Sequence, residues 1–212
     1  MRTRLLTVVS LALGLMALAL PARAAGAETR HVQFQGLTAQ AEFSSTQGCV
    51  RTRAYVLATD GRVKTDPGGP EAASGAEVYL FQEDVCTQTR LLGGSGFSEL
   101  APDAFQIDKE FTAATLTATI EWSDFESGTS FPVDVSARWT GFGDTFSDDE
   151  RYRQEDPPGV WVSFHLNGTF RQATASGTVS DGTTNFTPEP ALLTGNTRLG
   201  LIKVGEVDIT HQ

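Results

Sequence analysis

Apolar and polar residues alternate with a period of two along most of the chain after residue 30. The alternation is clearest in three segments, 37–43, 116–122 and 133–139, and weaker candidates cover 50–58, 76–82, 160–166, 169–179 and 198–209. A period of two places one set of side chains in a core and the other in water. No long segment has a 3.6-residue apolar stripe, so the pattern predicts an all-β protein.

Turn-forming residues separate these segments. They include the stretch 65–70, the glycine-rich stretch 93–96, and Asn167-Gly168, which predicts a tight turn between two strands. Many short strands with turn signals between them are typical of an antiparallel β-sandwich. We predict one all-β domain over 28–212. Segments 37–43 and 116–122 resemble each other, which suggests an internal repeat with a boundary near 97–114, although alternating strands also resemble each other by chance.

The N-terminus has the three regions of a secretory signal. Arg2 and Arg4 precede the apolar run 5–20, and small residues follow at 22–24. We predict a signal peptide over 1–24, with an alternative cleavage site as late as 27. Cleavage would remove the helix of the signal peptide. A transmembrane anchor is the alternative, but the run is short for a span. We therefore expect a secreted protein, extracellular or periplasmic, with no membrane anchor after cleavage.

The charge balance limits the class of partner. The chain has 16 basic and 26 acidic residues, and loss of the signal peptide removes three arginines, for a net charge of −13. Such an acidic protein repels phosphate backbones, which argues against nucleic acid. We expect an extracytoplasmic glycan or protein as the partner.

Two cysteines, Cys49 and Cys86, are present. In an oxidising compartment a single pair is most simply a disulfide. A disulfide between Cys49 and Cys86 closes a loop of about 37 residues, which stabilises the fold by roughly 3–4 kcal/mol in the chain-entropy model. A catalytic thiol or a metal pair is the alternative, but neither cysteine has a histidine near it in the sequence.

No catalytic motif is present in the sequence. The chain lacks a Gly-x-Ser-x-Gly elbow, a His-Glu-x-x-His metal motif and a Gly-Lys-Ser/Thr phosphate loop. We predict no catalytic residue and no enzyme.

The segment 160–167 carries the candidate ligand site. Its alternation directs Val160, Val162, Phe164 and Leu166 to a core, and Trp161, Ser163, His165 and Asn167 to the opposite face. A tryptophan beside hydrogen-bonding side chains suits carbohydrate, because the ring covers an apolar sugar face while its neighbours bind hydroxyls. The alternative is that a loop covers this face. Trp122 and Trp139 lie at core positions of their strands.

An acidic cluster precedes Val160 and is predicted to be a loop. Its carboxylates Asp144, Asp148, Asp149 and Glu150 are candidate calcium ligands, since calcium takes six to eight oxygen ligands. Arg151 and Arg153 lie in the same stretch, and a salt-bridged loop without metal is the alternative. No other cofactor is predicted.

Three functional hypotheses follow. The first is a non-enzymatic binding protein whose partner outside the cytoplasm is a glycan or another protein, with Trp161 exposed in a concave setting. The second is a structural or surface protein-interaction domain without a small-molecule site, with an open apolar patch and Trp161 covered. The third is an extracellular hydrolase, with His165 in a cleft and close to a carboxylate.

Overall fold

The computed structural model describes residues 29–66, 68–155, 160–181, 185–186 and 197–211. The predicted signal peptide lies outside the described residues. The described chain forms ten strands: β1 Thr29–Gln47, β2 Val50–Thr65, β3 Pro70–Asp84, β4 Thr89–Glu99, β5 Phe105–Ile107, β6 Ala113–Asp124, β7 Ser130–Glu155, β8 Val160–Ser180, β9 Asn185–Phe186 and β10 Arg198–His211. Every segment that the alternation predicted to be extended lies within one of them.

The strands form one antiparallel sheet that closes on itself. Its order is β10-β1-β2-β3-β4-β6-β7-β8-β9, and β8 also pairs with β10. The ring of eight long strands is therefore continuous, with β5 paired to β6 and β9 paired to β8. The predicted all-β, antiparallel fold class is confirmed.

A large apolar cluster fills the space between strands that are not neighbours in the sheet, as in a sandwich. The indole rings of Trp122 and Trp139 are fully buried in it, together with Phe43 and Leu116. The Trp139 indole Nε1–H donates a hydrogen bond to the backbone oxygen of Gln40, 2.8 Å away. This bond connects β7 to β1 across the core, because β1 pairs only with β2 and β10 among the described strands.

A second, smaller cluster lies on the opposite face of the same long strands. In β8, Phe164 and Phe170 belong to the second cluster, whereas Ala173 and Val179 belong to the first. Even-numbered and odd-numbered residues of one strand point to opposite faces. Irregularities in pairing, one of them between Phe142 and Thr145, occur near the level where the chain passes from one cluster to the other.

Three local predictions were wrong. Glycine-rich 93–96 lies inside β4, Asn167-Gly168 lies inside β8, and the acidic residues 144–150 belong to β7 instead of a loop. The glycines of β4 permit a close approach of two strands. A Cβ added at Gly94 would lie 2.0 Å from the Ser123 backbone oxygen and 2.4 Å from the Trp122 ring.

A disulfide joins Cys49 and Cys86, as predicted. It connects the turn before β2 to the turn after β3, two strands that are already paired in register from Val50 and Asp84 onward. The disulfide is consistent with an oxidising compartment. Among the described residues no helix is long and apolar enough to cross a membrane.

Candidate functional site

The candidate site lies on the outer face of β7, β8, β10 and β1. Val162, Phe164 and Leu166 of β8 are buried in the second cluster, so the residues between them face outward. All four residues of the predicted ligand face, Trp161, Ser163, His165 and Asn167, are half-buried there. Strand register sets their neighbours, because directly paired residues share a face.

His165 is the centre of this face. Its Nε2 lies 3.4 Å from Asp149 Oδ2 in β7, and its Nδ1 lies 3.6 Å from Glu206 Oε2 in β10. Asp149 also accepts a hydrogen bond from the Asn167 amide at 3.1 Å. The amide of Asn167 and the ring of His165 lower the pKa of Asp149, so this carboxylate stays charged.

The polar network continues from β10 into β1. The Gln33 amide donates to Glu206 Oε1 at 3.1 Å. His31 Nδ1 lies 2.6 Å from Asp208 Oδ1, two residue pairs further along the same two strands. Glu206 is therefore held from both sides, by β1 and by β8.

A hollow of about 420 Å³, here called the β8 hollow, opens on this face. The outward side chains that line it are Arg151, Arg153, Ser163, His165, Glu206 and Asp208. They offer guanidinium and hydroxyl donors beside carboxylate acceptors, and the volume lies within the range of small-molecule sites. The arrangement suits a ligand that makes many hydrogen bonds.

Trp161 is not the open platform that its residue type suggests. It is half-buried, and the Arg153 guanidinium lies 4.6 Å from its ring centroid. Trp161 is not among the described residues that line the β8 hollow. The Arg153 cation therefore covers one face of the indole ring. Trp161 therefore positions Arg153 at the wall of the hollow.

The same geometry limits nucleophilic catalysis. A histidine base needs one ring nitrogen directed at the nucleophile and the other at a carboxylate. His165 lies near a carboxylate and lines the hollow, as the hydrolase hypothesis requires. However, both of its ring nitrogens face carboxylates, those of Asp149 and Glu206, so neither is directed at Ser163.

The four candidate calcium ligands do not converge. Asp148 and Glu150 lie on the face of the second cluster, Asp149 faces outward, and Asp144 is exposed at the irregularity of β7. Consecutive residues of a strand alternate between faces, so these carboxylates cannot surround one ion. Among the described residues the single trio with metal-ligand spacing is Cys49, Asp84 and Cys86, and its cysteines form the disulfide.

Sequence reasoning missed half of the site. His31, Gln33, Glu206 and Asp208 carry no motif in the sequence. The pairing of β1 with β10 brings together residues separated by more than 170 positions. The alternation in 29–34 and 204–209 was the available signal, but it gives no register.

Comparison with protein-family models, curated proteins and solved structures finds no match. The fold and the site define the class: an all-β domain with a closed antiparallel sheet and an outer hollow.

Proposed function

We propose that this protein is a non-enzymatic, exported binding protein whose ligand is carbohydrate, bound in the β8 hollow. The observation that carries the proposal is the lining of this hollow. Charged and hydroxyl side chains from three strands converge there, and most are fixed by hydrogen bonds or ion pairs to their neighbours. A preorganised set of donors and acceptors binds hydroxyl groups without the cost of ordering flexible side chains.

In this proposal Arg153, Ser163 and His165 make the main contacts with the sugar. The Ser163 hydroxyl and the Arg153 guanidinium donate to sugar oxygens, and the carboxylates of Glu206 and Asp208 accept from sugar hydroxyls. The disulfide and the predicted signal peptide support export.

The test is an oligosaccharide array probed with the mature protein, followed by calorimetry on each positive sugar. Ser163→Leu fills the hollow with a larger apolar side chain and is expected to weaken binding at least about tenfold. Ser136→Leu is the matched control, since Ser136 is exposed on β7 away from the hollow. If no sugar binds, or if both variants weaken binding equally, the proposal is wrong.

A protein-interaction domain is the second candidate. The observation that favours it is the exposure of two large apolar side chains, Leu91 at 52% and Phe125 at 59%, at the ends of β4 and β6. Phe125 lies beside this end of β4, because its backbone N–H donates to the Gly93 oxygen, and apolar side chains exposed close together mark protein contacts. Leu91→Ser with Phe125→Ser would abolish such an interaction and leave sugar binding unchanged.

A further inference from the structure

A second hollow lies on the same outer face, immediately beside the first. This β1 hollow has a volume of about 350 Å³ and shares Glu206 with the β8 hollow. The polar side chains around it are Gln33, Gln35, Arg62, Lys64, Lys203 and Glu206. Because the two hollows meet at one residue, they form a continuous surface across β2, β1, β10, β8 and β7.

Strand register fixes the cations of the β1 hollow. Lys64 pairs with Gln33, and Arg62 pairs with Gln35, so each cation stands beside an amide on one face. Lys203 lies at the irregularity of β10, between the paired residues Ile202 and Val204. An extra residue at such a place redirects side chains locally.

These three cations form no ion pair with a described carboxylate. Arg51, Arg90, Arg151 and Arg198 each form an ion pair with a carboxylate. Within the described residues, Arg62, Lys64 and Lys203 have no carboxylate within ion-pair distance, and all three are exposed. Glu206, which lines the same hollow, contacts Gln33 and His165 and forms no ion pair with these cations.

This concentration of unpaired positive charge is unusual for the chain, whose formal net charge is −10. A protein with that charge repels anions at long range, so an anionic group is held only where local cations make direct charge-assisted hydrogen bonds. The amides of Gln33 and Gln35 add neutral donors beside those cations.

The length of the surface follows from one row of paired residues that crosses it: Lys64, Gln33, Glu206, His165 and Arg151. The row crosses five neighbouring strands, and a strand spacing of about 4.8 Å makes the distance from β2 to β7 roughly 19 Å. A single sugar cannot span this distance, whereas an extended oligomer can.

We infer that the ligand is an acidic oligosaccharide whose anionic groups bind Arg62, Lys64 and Lys203 in the β1 hollow while its hydroxyl groups occupy the β8 hollow. This inference rests on the proposed function and specifies its ligand class. The anionic group is a carboxylate or a sulfate ester, both of which match the hydrogen-bonding geometry of a guanidinium.

The experiment is calorimetric titration of the mature protein with three oligosaccharides of similar length: an oligogalacturonate, a heparin fragment and a neutral galactan. We expect at least one acidic ligand to bind about tenfold more tightly than the galactan, with a preference that falls as salt increases. Binding of the oligogalacturonate alone identifies the anion as a carboxylate, and binding of the heparin fragment alone identifies it as a sulfate.

The variant Arg62→Gln/Lys64→Gln tests the location. It is expected to bring the affinity for the acidic ligand down to that for the galactan, about tenfold lower. Lys109→Gln/Arg138→Gln removes the same two charges from exposed positions outside the site and is expected to leave both affinities unchanged.

Two results separate failure of this inference from failure of the proposed function. Equal affinity for galactan and acidic ligands, or equal losses in the two double variants, would overturn the acidic ligand and leave carbohydrate binding in place. Absence of binding to any oligosaccharide, on this titration and on the array, would overturn both.

Discussion

The Arg198 guanidinium Nη1 lies 2.8 Å from Asp148 Oδ2, which joins β10 to β7 beneath the outer face. The Arg198 side chain is only 10% exposed, its Nε donates to the Gln40 side chain, and it stacks 4.1 Å from the Phe170 ring centroid. Asp148 and Asp149, two of the candidate calcium ligands, thus have different structural roles. Asp148 neutralises a buried cation, and its neighbour Asp149 orients His165 on the opposite face.

The first prediction compares these two neighbours. Asp148→Ala leaves the Arg198 charge buried without its partner, and we expect it to lower the free energy of unfolding by about 2–4 kcal/mol. Asp149→Ala removes an exposed carboxylate and should cost less than about 1 kcal/mol. Urea denaturation measures both. The double variant Asp148→Ala/Arg198→Met should recover part of the loss, and failure to recover any would contradict a charge origin.

The second prediction concerns the glycines of β4. Gly94→Ala forces a Cβ against the Ser123 oxygen and the Trp122 ring, so β4 must separate from β6. We expect a loss of about 2–3 kcal/mol, as in other overpacked cores. Gly69→Ala is the matched control, because nothing lies within 4 Å of its Cβ position. Equal thermal stability of the two variants would show that β4 is not tightly packed on β6.

The third prediction concerns the junction of β4 and β6, where only residues 94–96 and 122–124 pair. Asp124 accepts hydrogen bonds from the backbone N–H groups of Ser127 and Gly93, and these lower its pKa to about 2. A carboxyl whose folded pKa is lowered stabilises the fold above its ordinary pKa of 3.8 and loses this effect as the pH falls toward 2.

Asp124→Asn should therefore be less stable than the natural chain at pH 6, and the difference should shrink between pH 4 and pH 2. Thermal unfolding as a function of pH measures the change. Asp60→Asn, at an exposed position of β2, controls for general loss of charge. A difference for Asp124→Asn that does not vary with pH would exclude the charge as its cause.

The fourth prediction concerns Glu77, whose pKa is shifted in the opposite direction to that of Asp124. Glu77 is 5% exposed, and burial raises its pKa from 4.5 to about 8, against the opposing hydrogen bond to Tyr79. A carboxyl whose folded pKa is raised holds its proton in the folded state, so stability falls as the pH rises from 4.5 to 8.

Glu77→Gln removes this penalty, because the amide does not titrate. The variant should match the natural chain near pH 4.5 and exceed its melting temperature by several degrees near pH 8, since 1 kcal/mol corresponds to about 2–4 °C for a domain of this size. Glu121→Gln, at an exposed position, should show no such trend. A melting temperature for Glu77→Gln below that of the natural chain at pH 8 would contradict the prediction.

The alternation of apolar and polar residues was sufficient to predict the strands but not where they begin and end. Segment 133–139 alternates strictly, and β7 contains it, yet β7 continues to Glu155 through a stretch rich in acidic residues. That continuation depends on register with β8, where Asp149 pairs with Asn167 and Tyr152 pairs with Phe164. Non-local pairing of this kind overrides local propensity and leaves no trace in a short window.

Glycine was the least reliable residue for predicting turns. Gly68 and Gly69 lie between β2 and β3, as their propensity predicts, whereas Gly94 and Gly96 are needed because Trp122 and its backbone approach them from another strand. Similarly, Trp161 was placed on the correct face, but its stacking with Arg153 depends on the register of β7 against β8.

The closed sheet has a consequence for how partners approach the protein. Each of the eight long strands pairs on both sides over part of its length, but no described strand pairs with residues 142–155 of β7 on the side away from β8, since β6 pairs only with residues 130–140. Recognition by addition of a strand from another chain requires a free edge of this kind. The carboxylates of Asp144, Asp148, Asp149 and Glu150 lie along this stretch, and their like charges should oppose edge-to-edge aggregation of two copies.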